Sequence, residues 1–227
     1  MQEKKKEVEL VVRTGRLITS IDGYDSYYSP DHIRGIRSGS PEAMLAYTLG
    51  SAPRDIRKII YSVDKKRENN KDFDKFFAGK STRLVIDTLV DNDIVLKFSG
   101  SDLGNVQRNL IESICFEPVV RDNTPDKDIM EHIYGITEDD NLSYAIGKKE
   151  LKGKECIVYN EIKKYYEDTC RKEGDVSYPK YAKTLTVRDL IMNSVCIEFT
   201  KDDLYGTIYE LMNKNMLIVY EKCGPIC

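Results

Sequence analysis

Two short apolar runs rich in β-branched residues, Glu7 to Arg13 and Leu17 to Ile21, are separated by Gly15 and predict an N-terminal β-hairpin. The next stretch, Asp22 to Ser40, mixes Gly, Ser, Asp and Tyr, with Pro30 and Pro41 as punctuation, and predicts a long irregular loop. Ser40 followed by Pro41 is a helix start, Glu42 to Leu49 continue it and Gly50 ends it. Pro53 opens a second helix, in which Ile56, Ile59, Ile60 and Val63 recur on one face before the pattern fades into the polar run KKRENNK. Phe73, Phe76 and Phe77 mark a short helix, and Leu84, Val85, Thr88 and Leu89 mark another. A strand, Ile94 to Phe98, follows Asn92-Asp93, and Leu103 to Phe116 are amphipathic with helical spacing.

The order of helices and then a strand returns near the C-terminus. Val158, Ile162, Tyr165, Tyr166 and Thr169 line one helical face, and Val187, Leu190 and Ile191 belong to a second helix. Thr200 caps a third, with Asp203 as the carboxylate of a capping box and Leu204, Ile208, Leu211 and Met212 as its apolar stripe. Asn213-Lys214-Asn215 then turns the chain into the strand Met216 to Tyr220. Between the two regions, Arg121 to Asp128 and Gly135 to Asn141 are acidic and turn-rich. These patterns predict an α+β chain: an N-terminal hairpin with a first helical unit over 1–118, an acidic connection over 119–152, and a second helical unit over 153–227.

The segment FTKDDLYGTIYELMNKNMLIVYEK resembles the third helix and first wing strand of winged-helix proteins, and RLVIDTLVDNDIVLKF resembles the same part. With their preceding helices the two resemblances cover residues 53–98 and 155–222, and they imply two winged-helix-like units, a fold whose third helix can enter a DNA major groove. One departure bears on function. In DNA-binding members that helix usually presents basic and amide side chains, whereas here it offers Lys201, Asp202, Asp203, Thr207 and Glu210. Acidic groups repel phosphates, and a fold alone does not assign a function.

At 227 residues the length suits one large domain or two of about 100, and the recurrence favours two. Hydrophobic residues at 41% supply a core and charged residues at 32% a solvated surface, which excludes a disordered chain. The longest apolar runs, such as Met216-Leu217-Ile218-Val219, fall far short of a bilayer span, and MQEKKKEVEL has no apolar core of a signal peptide, so a cytoplasmic, reducing setting without membrane contact is expected. The six cysteines lack the spacing of a disulfide framework, and Cys223 with Cys227 makes at most half a metal site. Basic and acidic side chains number 18 and 15 in 1–100, 5 and 11 in 101–150, and 12 and 12 in 151–227, so any nucleic-acid contact must be local.

Three chemical signatures were tested against the residues. Ala78 to Thr82 reads AGKST, the end of a phosphate-binding loop, but the earlier glycine such a loop needs falls on Asp74 and no buried strand precedes it. Asp126 with Glu161 and Lys163 could form a Mg²⁺-dependent nuclease site, yet Glu161 and Lys163 sit in a helical pattern that splays them apart. His32 and His132 have no triad or metal-site neighbours. No catalytic residue, cofactor or metal is therefore expected.

The stretch from Arg13 to Arg37 combines Arg13, Arg16, Arg34 and Arg37 with Tyr27 and Tyr28, a mixture that can hold phosphates and stack on bases. Arg54, Arg57, Lys58 and Arg83 add charge on the first helical unit. The expectation is a non-enzymatic protein binding DNA, RNA or nucleoprotein in replication, transcription or a mobile-element process. The alternatives are a protein-interaction subunit or inhibitor anchored by Tyr205 and Tyr209, and the Mg²⁺-dependent nuclease.

Overall fold

The computed structural model describes residues 7–21, 24–29, 32–119, 151, 153–172, 185–192 and 199–222, of which 16–21, 25–29, 32–33 and 166–172 are described by their backbone alone. The chain is α+β and divides into two compact units, residues 1–28 with 33–110 and residues 29–32 with 111–227. No described helix is long and apolar enough to cross a membrane.

In the first unit, β1 (Val8–Arg13) buries Leu10, Val11 and Val12 in succession. A strand buried on successive positions is covered on both faces and needs partners at both edges. Strand β1 therefore does not form the expected hairpin with β2 (Arg16–Ile21). It lies between β5 (Arg54–Asp55) and β6 (Val95–Gly100), antiparallel to both, with Leu10 opposite Asp55 and Phe98. Strand β2 instead pairs with β3 (Tyr24–Ser29) in a second sheet of order β2-β3-β4, where β4 is His32–Arg37. The stretch Asp22 to Ser40, expected as an irregular loop, thus holds two strands.

Helix α1 (Pro41–Leu49) starts where Ser40 accepts a hydrogen bond from the Ala43 N–H at 3.1 Å, and it stops at Gly50. Asp55 caps α2 (Ile56–Asn69) in the same way, accepting from Arg57 N–H at 2.8 Å. Helices α3 (Lys71–Phe76) and α4 (Thr82–Asp91) complete a core of Val11, Leu45, Leu49, Ile56, Phe77, Val85, Ile86, Leu89 and Val95, with Ile59, Ile60 and Val63 packed against it. On α4 the buried stripe includes Ile86, while Leu84, assigned to the apolar face from sequence, is 52% exposed. Helix α5 (Leu103–Ser113) ends earlier than expected, and its tail is the strand β7 (Ile114–Pro118). Strand β7 pairs with β8 (Leu217–Glu221), so residues 114–118 join the C-terminal unit and not the region 1–118. The acidic connection lies outside the described residues except at Val119 and Leu151.

In the second unit, α6 (Lys154–Lys172), α7 (Val187–Met192) and α8 (Lys201–Asn213) bury Val158, Ile162, Val187, Leu190, Leu204, Ile208, Leu211 and Met212. Thr200 caps α8, accepting from Asp203 N–H at 3.1 Å and donating to its carboxylate at 2.9 Å. Phe116 of β7 exchanges two 2.8 Å backbone hydrogen bonds with Leu185, so β7 too has a partner on each edge.

Among the described residues the two units share one core arrangement, to which the first adds the sheet β2-β3-β4. Each begins with its central strand, passes through a helix to a short bridging strand, and returns by a further helical segment to an outer strand. The match holds to the residue. Val11 pairs with Arg54 as Phe116 pairs with Leu185, and the next residues, Asp55 and Thr186, each cap the following helix. After α4, Ile94 N–H donates to Leu89 O at 3.0 Å, and after α8, Met216 N–H donates to Leu211 O at 2.9 Å. The residues before them, Asp93 and Asn215, have φ of 52° and 53°. Thr14 N–H then donates to Ile94 O as Val119 N–H donates to Met216 O, both at 2.9 Å.

This left-handed turn residue is testable. The Asn215 side-chain oxygen is buried without a hydrogen-bond partner, and glycine adopts positive φ freely. Asn215→Gly should stabilise the chain by about 0.5–1 kcal/mol and Asn215→Val should destabilise it by about 1–2 kcal/mol in thermal unfolding. Equal effects of the two would refute the turn geometry.

Candidate nucleic-acid interface

The ten residues expected to hold nucleic acid meet different fates. Arg16 of β2 pairs by register with Tyr28 of β3, and Leu17 with Tyr27; the side chains of Arg16, Tyr27 and Tyr28 lie outside the described residues. Arg13, on the central strand, is partly buried and donates from Nη1 to Ala46 O at 3.3 Å. Arg34 pairs with Asp93, the left-handed turn residue, at 2.8 Å. Arg57 folds back on the Asp55 cap, with Nη2 3.2 Å from Oδ2.

Arg83 is committed most fully. Its two terminal nitrogens donate to the two Glu9 oxygens at 2.9 and 3.1 Å, while Nε donates to Asp87 at 3.2 Å. Lys97 also reaches Glu9, at 2.9 Å. The hydrogen bonds from Arg83 and then Lys97 hold the Glu9 carboxyl at a pKa of about 2, against the opposing effect of burial. A phosphate would have to displace a bidentate carboxylate to reach Arg83, so this residue ties α4 to the sheet and is not part of an open site.

Arg37, Arg54 and Lys58 are exposed, and among the described residues no carboxylate pairs with them. Lys58 stands on the outer face of α2, and that face holds residues the sequence reading passed over. With Ile56, Ile59, Ile60 and Val63 turned to the core, helical geometry turns Lys58, Tyr61, Ser62 and Lys65 to solvent. Tyr61 is 68% exposed, and the Lys65 ammonium lies 5.9 Å from its ring centroid. The signal was in the periodicity already used to find the core. The polar run after it looked featureless only because it was read as a run and not as a face.

Neighbouring cations of α2 are used internally. Lys66 lies 4.2 Å from the Phe73 ring centroid, and Arg67 lies 4.3 Å from that of Phe77 while donating to Asp74 at 2.7 Å. The fragment AGKST is also structural: Gly79 has φ 78°, Lys80 pairs with the buried Glu42 at 2.7 Å, and Ser81 caps α4 by accepting from Leu84 N–H. Glu161 and Lys163 both lie on α6, and Asp126 is outside the described residues. No group of three or more metal-ligating side chains occurs among the described residues, and the buried Cys115 thiol donates to the carbonyl oxygens of Tyr220 and Glu221.

Of the expected partner anchors, Tyr205 is buried, with 7% exposure, and its hydroxyl donates to Glu112 at 2.7 Å. Burial and then that hydrogen bond raise its pKa above the usual phenol value. A side chain held this way packs within its own unit, and Tyr209 is half-buried on α8. Comparison of the chain with protein-family models, with curated proteins and with solved structures gives no match.

The Glu9 cluster makes a pH prediction. Because the folded pKa is lowered from 4.5 to about 2, its stabilisation is fully present above pH ~4.5 and is lost as pH falls through ~2. Glu9→Gln should cost about 2 kcal/mol at pH 7 and flatten the fall in stability between those pH values, measured by urea unfolding. An unchanged acid limb would exclude Glu9 as its source.

Proposed function

We propose that the chain is a non-enzymatic nucleic-acid-binding protein built from two winged-helix-like units and acting in replication, transcription or a mobile-element process. The observation that carries this reading is that Arg37, Arg54 and Lys58 of the first unit are exposed cations with no carboxylate partner among the described residues. A fold that neutralises Arg34, Arg57, Arg67 and Arg83 internally has carboxylates available for pairing, and these three stand apart from them. Unpaired exposed cations are what a phosphate backbone binds, with release of counterions.

The helices that end each unit argue for a restricted contact. Helix α8 presents Asp202 and Glu210, and α4 presents Asp87 and Asp91 beside the committed Arg83. Neither suits insertion into a groove lined by phosphates. Contact therefore rests on phosphates reached from the first unit, at a salt-sensitive affinity with weak sequence preference.

Anisotropy of labelled duplex DNA, single-stranded DNA and RNA at two salt concentrations tests this. Binding should weaken steeply with salt, and Arg37→Ala with Arg54→Ala should lower the slope of log affinity against log salt by about 1.5–2. Arg83→Ala should leave that slope unchanged while lowering the melting temperature. Absence of binding to all three nucleic acids would overturn the reading and favour a protein partner.

A further inference from the structure

The two copies of the fold differ where the first has its open basic face, and that difference points to a working surface. Register places Ile56 with Val187 and Ile59 with Leu190 as core positions of the helix after the bridging strand. The same register places Lys58 with Asp189 and Tyr61 with Met192. In the second unit Asp189 is spent on its own helix start, accepting from the Thr186 N–H and hydroxyl at 2.7 Å. The fold thus needs the apolar positions in both copies and needs neither a cation nor an aromatic ring on the outer face. What it does not need, the first unit supplies on α2.

We infer that the outer face of α2 binds a single-stranded stretch of nucleic acid, with Lys58 and Lys65 on phosphates and Tyr61 stacked on a base between them. This rests on the nucleic-acid reading above and names the helix and the form of nucleic acid. Lys58 and Lys65 are separated by two helical turns, about 10 Å along the axis, and Tyr61 lies between them on the same side. Ser62, also exposed on this face, adds a hydroxyl donor for a phosphate oxygen. The charge is local and of one sign along this part of the helix. Asp64 lies to one side, accepting from the Thr82 hydroxyl at 2.5 Å and 3.8 Å from Arg67, and Glu68 is the acid at the far end of the face.

A single strand fits better than a duplex for two reasons. An exposed tyrosine ring stacks on bases that are open to it, and in a duplex the base faces are already stacked. The helices that could enter a duplex groove, α4 and α8, carry acids on their outer sides.

The test uses the full chain against a fluorescent oligothymidylate, the same length of RNA, and a duplex. Lys58→Ala with Lys65→Ala should weaken single-strand binding and reduce its salt slope by about 1.5. Tyr61→Ala should weaken it about tenfold, and Tyr61→Phe should restore it. Thermal unfolding of each variant should match wild type, because all three side chains are exposed. Wild-type binding that these variants leave unchanged would overturn the α2 assignment and leave the nucleic-acid reading standing. Preference for duplex with Tyr61→Ala silent would overturn the single-strand assignment. No binding by wild type would overturn both.

Discussion

A helix can hand its chain to a neighbouring strand only if its last carbonyls find donors and the backbone reverses at once, and in this protein both units meet that constraint identically. The residue after the helix adopts positive φ, Asp93 in one unit and Asn215 in the other. The next N–H reaches back to Leu89 O or Leu211 O, and the next carbonyl accepts from the end of the central strand at Thr14 or Val119. One turn therefore closes the helix and starts the sheet register. From it follow the pairing of β6 along β1 and of β8 along β7, and with that pairing the inward direction of Val11 and Phe116. The polar residues at this turn, Asp and Asn, are those that tolerate the left-handed region most readily after glycine.

Because the central strand comes first in each unit, it must wait for partners much later in the chain. Strand β1 finds β6 more than eighty residues on, and β7 finds β8 about a hundred residues on. Long-range pairing of this kind is slow to form and leaves no local trace. That is why the sequence reading could join β1 to the nearest strand in a hairpin and could read Ile114 to Phe116 as the last turn of α5. Local features fared differently. Ser40, Ser81 and Thr200 as caps, Gly50 as an end, and the apolar stripe of α8 follow from short-range hydrogen bonding and periodicity, and the structure contains them. Leu84 shows the margin: with Val85, Ile86 and Leu89 all apolar, the stripe could be centred one residue either way, and tertiary packing decided it.

The candidate site was legible to a lesser degree, and the reason is electrostatic. Sequence gives the number of arginines but not their partners. Arg83 is 74 residues along the chain from its carboxylate, Glu9 on the first strand. Arg34 similarly meets Asp93 across the fold. An arginine in a bidentate pair with a carboxylate has its planar fork filled, so its positive charge contributes little to the outside field. The open cations are therefore a minority of those counted, and Lys58 and Lys65 belong to a helix whose apolar face attracted all the attention.

Duplication gives a way to separate structural from functional surface without relatives to compare. Two copies of one topology in one chain impose the same packing demands, so positions that agree in character report the fold: Ile56 with Val187, Ile59 with Leu190, Leu89 with Leu211. Positions that disagree report something else. The outer face of α2 is basic and aromatic where the equivalent face of α7 is acidic at Asp189 and apolar at Met192, which is 68% exposed. Packing does not account for the face of α2, which points to solvent, whereas Asp189 serves its own helix start. The cations and the ring on the outer face of α2 thus stand where the shared packing demands neither.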